Sequence, residues 1–182
     1  MKPLLTILLL FLIVPSAVAQ KPEHPPWGMG YFDVGTGTHG MGLNASLGGE
    51  VNIAKGFGVG AEVGAIGVTA PDNNNDKETG LCSLDLIYHH FPKKLRRNAA
   101  PFLAGGYSEF FGHNTHTKYG GGGSYSTHGF NLGAGLDVFV PHHLGVRFDL
   151  RYYGHGGRIL NYVYPDVQQF SFVAFRVGLT FR

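Results

Sequence analysis

The side chains best suited to chemistry in this sequence are its ten histidines. Three of them, His113, His116 and His128, lie close together along the chain. Neutral imidazole is a common ligand of transition metals, so this group could hold a metal ion. The chain lacks both an HExxH motif and a cysteine cluster that would support such a site. We therefore interpret these histidines as ordinary polar loop residues, and we predict no metal and no other cofactor.

Nucleophilic catalysis needs a hydroxyl or thiol beside a general base. The single cysteine, Cys82, can form no internal disulfide, and no local pattern places it beside a base. His155 is followed by two glycines, so no attacking atom is next to its imidazole in the sequence. The fold could bring a serine to a histidine, but no local pattern indicates this for Ser108, Ser124 or Ser126. We predict a protein without enzymatic activity.

Charged and apolar residues alternate in the segment from 144 to 152, where the even positions are apolar. Side chains of a β-strand point to alternate sides, so this strand has one apolar face and one charged face. The same pattern recurs in other segments of the chain. The predicted charged set consists of Asp33, Glu50, Glu62, Asp85, Glu109, Asp137, Arg147, Asp149, Arg151 and Arg176.

Eight segments show this alternation, and no long stretch has the 3.6-residue period of an amphipathic helix. Short and long connections mostly alternate between them, as in outer-membrane barrels with short periplasmic turns and longer external loops. We predict an all-β protein, an eight-stranded antiparallel up-and-down transmembrane β-barrel. The predicted strands are Gly28–Thr36, Leu43–Ile53, Phe57–Ile66, Gly80–Phe91, Pro101–Phe111, His128–Phe139, Leu144–Tyr153 and Gln169–Phe181.

The beginning of the chain has the pattern of an export signal. Residues 1–19 combine Lys2, an apolar run and a small-residue cleavage site ending at Ala19, which predicts a signal peptide. Residues 20–26 are then a periplasmic N-terminal stub, and residues 27–182 form the barrel domain. Without Lys2, 13 basic residues face 12 acidic ones, so charge gives no reason to expect nucleic acid as a partner.

Alternation alone does not distinguish a membrane barrel from a secreted soluble barrel with a lipocalin-like cavity. Lysine is informative here, because a strand face exposed to water normally bears several lysines. In the predicted layout all six lysines after the signal lie outside the strands: Lys21, Lys55, Lys77, Lys93, Lys94 and Lys118. A narrow lumen favours arginine, whose planar group pairs with carboxylates. We therefore predict lipid at the apolar face and a salt-bridged plug, not a pore, inside an interior that eight strands leave just wide enough for side chains.

Aromatic residues near the predicted strand ends suggest two membrane girdles. The set near the periplasmic ends is Trp27, Phe57, Phe91, Phe102, Phe139 and Phe181, and the opposite set is Phe110, Phe130, Tyr152 and Phe170.

Several motifs connect these strands with a known group of proteins. They are Asn44-Ala45-Ser46, Gly49-Glu50-Val51-Asn52, Phe57-Gly58-Val59-Gly60-Ala61, Pro101-Phe102, Gly133-Ala134-Gly135-Leu136-Asp137 and the closing Phe175-Arg176-Val177-Gly178-Leu179-Thr180-Phe181. With them, nearly all of the chain after the signal resembles the small outer-membrane β-barrel family, the OmpA/OmpX-like eight-stranded group. The final strand is similar to the signal read by the barrel-assembly machinery, except that Arg182 follows the closing aromatic residue.

The resemblance implies a monomeric protein of the bacterial outer membrane. Its expected partners are outer-membrane lipid and lipopolysaccharide, and the barrel-assembly machinery during insertion. We expect a role in envelope structure or in surface binding through the external loops. One alternative is a rim-located lipid-modifying enzyme, because some eight-stranded barrels are lipid A deacylases with a His-x-Ser pair. His155 occupies a similar position, but Gly157 replaces the nucleophile.

Overall fold

Eight antiparallel strands form a closed barrel in the computed structural model, which describes residues 27–38, 41–68, 77–90, 99–114, 123–140, 143–155 and 171–182. Each strand pairs with the next, and β8 pairs with β1 to close the barrel. This confirms the predicted fold class. The strands are β1 Gly28–Gly37, β2 Met41–Ala54, β3 Phe57–Val68, β4 Lys77–His89, β5 Ala99–Asn114, β6 Gly123–Val140, β7 Leu144–His155 and β8 Phe172–Phe181.

The predicted strand bounds differ from the observed ones mainly at one end of the barrel. β5 and β6 remain paired as far as Asn114 and Gly123, because polar residues beyond the apolar region continue the ladder. β4 begins at Lys77, so this lysine lies in a strand, contrary to the expectation that all lysines lie outside. None of the described residues belongs to a helix long and apolar enough to cross a membrane.

A two-residue turn fixes the register between β2 and β3. Ala54 pairs with Phe57, which leaves a two-residue loop of Lys55 and Gly56. Both have positive φ, 51° at Lys55 and 89° at Gly56. Two positive φ angles are typical of the type I′ turn, whose twist matches that of the flanking strands, and glycine adopts this region without steric cost.

The outer surface of the barrel is apolar along its strands. Leu43, Leu86 and Ile53 are 74%, 72% and 70% exposed. Soluble proteins rarely expose apolar patches of this extent, whereas lipid-facing strand positions are expected to be apolar. The alternative of a soluble lipocalin-like barrel, with its apolar face turned inward, is therefore wrong.

The inside of the barrel has three layers. A layer of apolar side chains lies at the end where β1 joins β2, and a charged layer occupies the middle. Smaller apolar clusters lie toward the opposite end of the barrel, where the turn between β2 and β3 is located. The first layer contains Met41, Ile66, Leu81, Phe110, Tyr153, Phe172 and Ala174, and the clusters at the other end contain Met29, Ala100, Phe139, Ile87, Phe102 and Ala104.

These layers correct part of the girdle prediction. Phe102, Phe110 and Phe139 are 1–3% exposed and point into the lumen, because each lies on the same strand face as inward polar residues. The other described girdle residues are exposed: Trp27, Phe57, Phe181, Phe130 and Tyr152. Phe91 and Phe170 lie outside the described residues.

Candidate functional site: the charged layer inside the barrel

Glu62 lies at the centre of the charged layer and is buried. Its Oε1 accepts a hydrogen bond from Nη1 of Arg176 at 2.5 Å, and its Oε2 lies 3.5 Å from Nη1 of Arg151. The hydroxyls of Tyr31 and Tyr153 donate to the same carboxylate, at 3.2 Å and 3.4 Å. A single carboxylate on β3 thereby connects β1, β7 and β8.

Two aspartates extend this network across the lumen. Nη1 of Arg151 donates to Oδ2 of Asp85 at 2.7 Å, and its Nη2 lies 3.2 Å from Oδ2 of Asp149. Asp149 also accepts a hydrogen bond from Arg176. Nδ2 of Asn131 donates to Oδ1 of Asp85 at 2.7 Å. Burying a charge is costly unless it is paired and hydrogen-bonded, and these ion pairs offset part of that cost for both arginines.

Arg147 is held mainly by two aromatic rings. Its guanidinium carbon lies 4.1 Å from the ring centroid of Tyr31 and 4.1 Å from that of Phe102. Its Nη1 is 3.7 Å from Oδ2 of Asp137, which is an ion pair beyond hydrogen-bonding distance. The side chain is fully buried, so the cation–π attraction acts in a desolvated setting, where it is strongest.

Two inward-facing glycines make room for this arrangement. A Cβ added at Gly48 would lie 2.2 Å from the ring of Tyr31, and one at Gly135 would lie 2.3 Å from the ring of Phe102. Any larger residue would displace a ring that contacts Arg147. The abundance of glycine thus has a local cause here, the close approach of side chains to the barrel wall.

His89 also belongs to the layer, although the predicted charged set does not include it. It is 1% exposed, and its Nε2 is hydrogen-bonded to Oε1 of Glu50 at 2.5 Å. Its Nδ1 lies 3.9 Å from Oδ2 of Asp137. Its position within the strand could have predicted this, because His89 lies four residues after Asp85 and therefore shares its face.

Nine of the ten predicted lumen residues are buried inside the barrel, and Glu109 is the exception. Ser108 and Phe110 point inward on either side of it, so Glu109 must point outward. Its Oε1 accepts a hydrogen bond from Oγ of Ser126 at 2.6 Å. This corrects the predicted position of Glu109, which places one charge on the outer face. A charge is tolerated there because Glu109 lies between the exposed aromatic residues Tyr107 and Phe111, near the end of the outer face, where a charge costs little.

The histidines considered as metal ligands are separated by the register. His113 pairs with Ser124 and His128 pairs with Glu109, so they are four rungs apart, about 13 Å at the rise of a strand. His116 lies outside the described residues. In the described part of the chain, no three His, Cys, Asp or Glu side chains are grouped in a way that could hold a metal ion. His155 ends β7 opposite Gly129, and Gly157 lies outside the described residues.

A water-filled channel through the layer would leave its charged groups accessible. Instead, Arg147, Arg151 and Asp137 all have 0% exposure. Apolar layers on both sides separate the charges from water in the described part of the barrel. The arrangement can therefore tie strands together, but it offers no open passage through the described lumen.

Comparisons with known proteins agree with this geometry. Residues 4–182 match the family model described as outer membrane protein beta-barrel domain. A comparison with curated proteins finds no significant match.

Similar solved structures include three small barrels. The N-terminal barrel domain of Pseudomonas aeruginosa OprF has a TM-score of 0.62 at 14% identity, covering 87% of this chain and 98% of that one. Neisserial surface protein A gives 0.63 at 12% identity, with 85% and 94% covered. The attachment invasion locus protein Ail of Yersinia pestis, solved with the heparin analogue sucrose octasulfate, gives 0.51 at 10% identity, with 86% and 99% covered. At these identities the likeness concerns the fold alone.

Proposed function

The chain belongs to the outer membrane protein β-barrel domain family, and from this premise we propose that it is a non-enzymatic protein acting in envelope structure or in surface binding through its external loops. The protein is an integral barrel of the bacterial outer membrane. The proposal includes outer-membrane lipid and lipopolysaccharide as partners, the barrel-assembly machinery as the insertion factor, and a monomeric state.

The sealed charged layer is the observation that supports a structural role most directly. Arg151 and Arg176 connect strands that are far apart in the sequence, and both are buried among carboxylates. A barrel built around such a plug is suited to act as a rigid anchor rather than as a passage for solutes.

The connections between strands support the surface-binding part of the proposal. β7 ends at His155 and β8 begins at Phe172, whereas β6 and β7 are separated only by residues 141–143. In outer-membrane barrels the longer connections face the outside, and long loops on a rigid scaffold commonly perform binding. Ail, a barrel of similar fold, was solved with a sulfated heparin analogue.

Single-channel recording in planar bilayers tests the plug. We expect negligible conductance from the wild-type protein, because the described lumen is filled. Phospholipid bilayers without the protein serve as the baseline. Large, steady openings would show a pore and would overturn the structural role.

Lipid A analysis tests the absence of enzymatic activity. We expect the acyl pattern of lipid A to be the same in cells that express the protein, in cells that express His155→Ala and in cells without it. Loss of an acyl chain that depends on His155 would favour the lipid-modifying alternative and contradict the proposal.

A further inference from the structure

One polar patch interrupts the outer face of the barrel. The register aligns Cys82 of β4 with Glu109 of β5, and Glu109 with His128 of β6. All three side chains are exposed on the outer face. The patch, which we call the rim patch, consists of Tyr107, Glu109, Ser126 and His128.

The rim patch lies near the outer end of the apolar surface. On β6 the outward positions from Val138 to Phe130 are apolar or small, and His128 is the next outward residue. On β5 Glu109 lies between two outward aromatic residues, Tyr107 and Phe111, which are 50% and 48% exposed. The patch lies toward the connection between β5 and β6, which the proposed orientation places outside. Aromatic residues are enriched at membrane interfaces, so Tyr107 and Phe111 place the patch near the headgroups of the outer leaflet.

The four side chains combine two kinds of contact surface. The rings of Tyr107 and His128 are nearly parallel, with an interplanar angle of 18° and centroids 6.3 Å apart. Ser126 donates to only one carboxylate oxygen of Glu109, and a carboxylate has about four acceptor positions. Aromatic faces beside an acceptor with free capacity suit a sugar, because the C–H face of a sugar packs on rings while its hydroxyls donate to the carboxylate.

The charge of the rim patch narrows the choice of ligand. The patch contains a carboxylate but neither lysine nor arginine, so it would repel a phosphate or sulfate group. The carboxylate does not repel sugar hydroxyls, amides or an amine. We propose that the rim patch binds the sugar headgroup of an outer-leaflet glycolipid, away from its phosphates. This inference rests on the proposed function, which supplies both the orientation and the lipid partner.

The single cysteine offers a reporter beside the patch. Cys82 is exposed next to Glu109, so a small environment-sensitive fluorophore on its sulfur would sense a bound headgroup. The full chain is inserted into phosphatidylcholine vesicles that contain an increasing fraction of rough-type lipopolysaccharide. We expect a saturable change in emission. Glu109→Gln and Tyr107→Leu should each require about tenfold more glycolipid, the effect of losing one hydrogen bond to a charged group or an equivalent packing contact.

A matched label controls for general contact with lipid. Cys82→Ser combined with Ile53→Cys moves the fluorophore to an exposed residue near the opposite membrane surface. This label should show no saturable response. Retained glycolipid, counted by native mass spectrometry of unlabelled protein, checks that the fluorophore itself does not create the site.

The outcomes separate the site from the proposed function. An unchanged midpoint in Glu109→Gln, in a protein that inserts normally, would overturn the site alone. A wild-type chain that does not insert into membranes would overturn the proposed function. A response abolished by a divalent-cation chelator would indicate cation bridging, whereas displacement by deacylated core oligosaccharide, which carries the same sugars, is expected if the headgroup is what binds. Loss of the response on chelation, or no displacement by excess core oligosaccharide, would overturn direct recognition of the sugar headgroup.

Discussion

Replacing Glu62 with glutamine removes one negative charge from the centre of the lumen and nearly preserves the shape of the side chain. Glu62 accepts from Arg176 at 2.5 Å and lies 3.5 Å from Arg151. Both arginines are buried, so neither can recover the lost interaction from water. We expect Glu62→Gln to lower the free energy of unfolding.

The size of this effect follows from the contacts that remain. Removing one partner of a buried ion pair typically costs about 3–5 kcal/mol. Arg151 keeps Asp85 and Asp149, and Arg176 keeps Asp149, so each guanidinium retains at least one carboxylate. We therefore expect a loss near the lower limit, about 3 kcal/mol.

Equilibrium unfolding in lipid vesicles with guanidinium chloride measures this loss. Trp27 is the only tryptophan of the chain and is 82% exposed at a strand end, so its fluorescence reports transfer between lipid and water. An unchanged slope of the free energy of unfolding against denaturant concentration would show that the variant exposes the same surface area on unfolding. A double-mutant cycle with Arg176→Gln would then isolate the coupling between the two side chains.

Glu109→Gln is the matched control, because it makes the same chemical change on the outer face. Its effect should be below about 1 kcal/mol, since charges near the membrane surface change stability little. If Glu62→Gln destabilised the barrel no more than Glu109→Gln does, the charged layer would not hold the strands together, and the reasoning would be refuted.

Two further substitutions test the outer face and the barrel wall. Ala134 is the middle residue of the outward apolar run on β6. Ala134→Arg should lower the free energy of unfolding in vesicles by about 2–4 kcal/mol, whereas His128→Arg at the rim should lower it by about 1 kcal/mol or less. Equal effects would contradict the placement of lipid against this face. Gly135→Ala places a Cβ 2.3 Å from both the ring of Phe102 and the backbone oxygen of Phe148 and should reduce the folded fraction seen as a heat-modifiable band on gels. Wild-type folding would show that both the ring and the neighbouring strand shift to accept the methyl group.

The alternation of residues along single strands was enough to predict the architecture. Arg147, Asp149 and Arg151 were expected on one face of one strand, and all three point into the lumen. Side-chain direction in a strand depends only on position within that strand, so a short stretch of sequence specifies it. The number of strands followed from counting such stretches.

Prediction failed where residue type was used in place of position. Glu109 was assigned inward because it is charged, although its neighbours Ser108 and Phe110 take the inward positions. Phe139 was assigned to a membrane girdle because it is aromatic, although it shares a face with Asp137. Aromatic side chains suit both lipid interfaces and packed interiors, so their type does not decide between the two.

The sequence by itself determined that the chain forms a barrel with an apolar outside and a charged inside, because both properties follow from local periodicity. Only the tertiary structure decided which charges meet. Glu62 and Arg176 are 114 residues apart, and the row from Cys82 through Glu109 to His128 crosses three strands. Such contacts depend on the stagger of the closed sheet, a property of all eight strands together, which no single segment of sequence specifies.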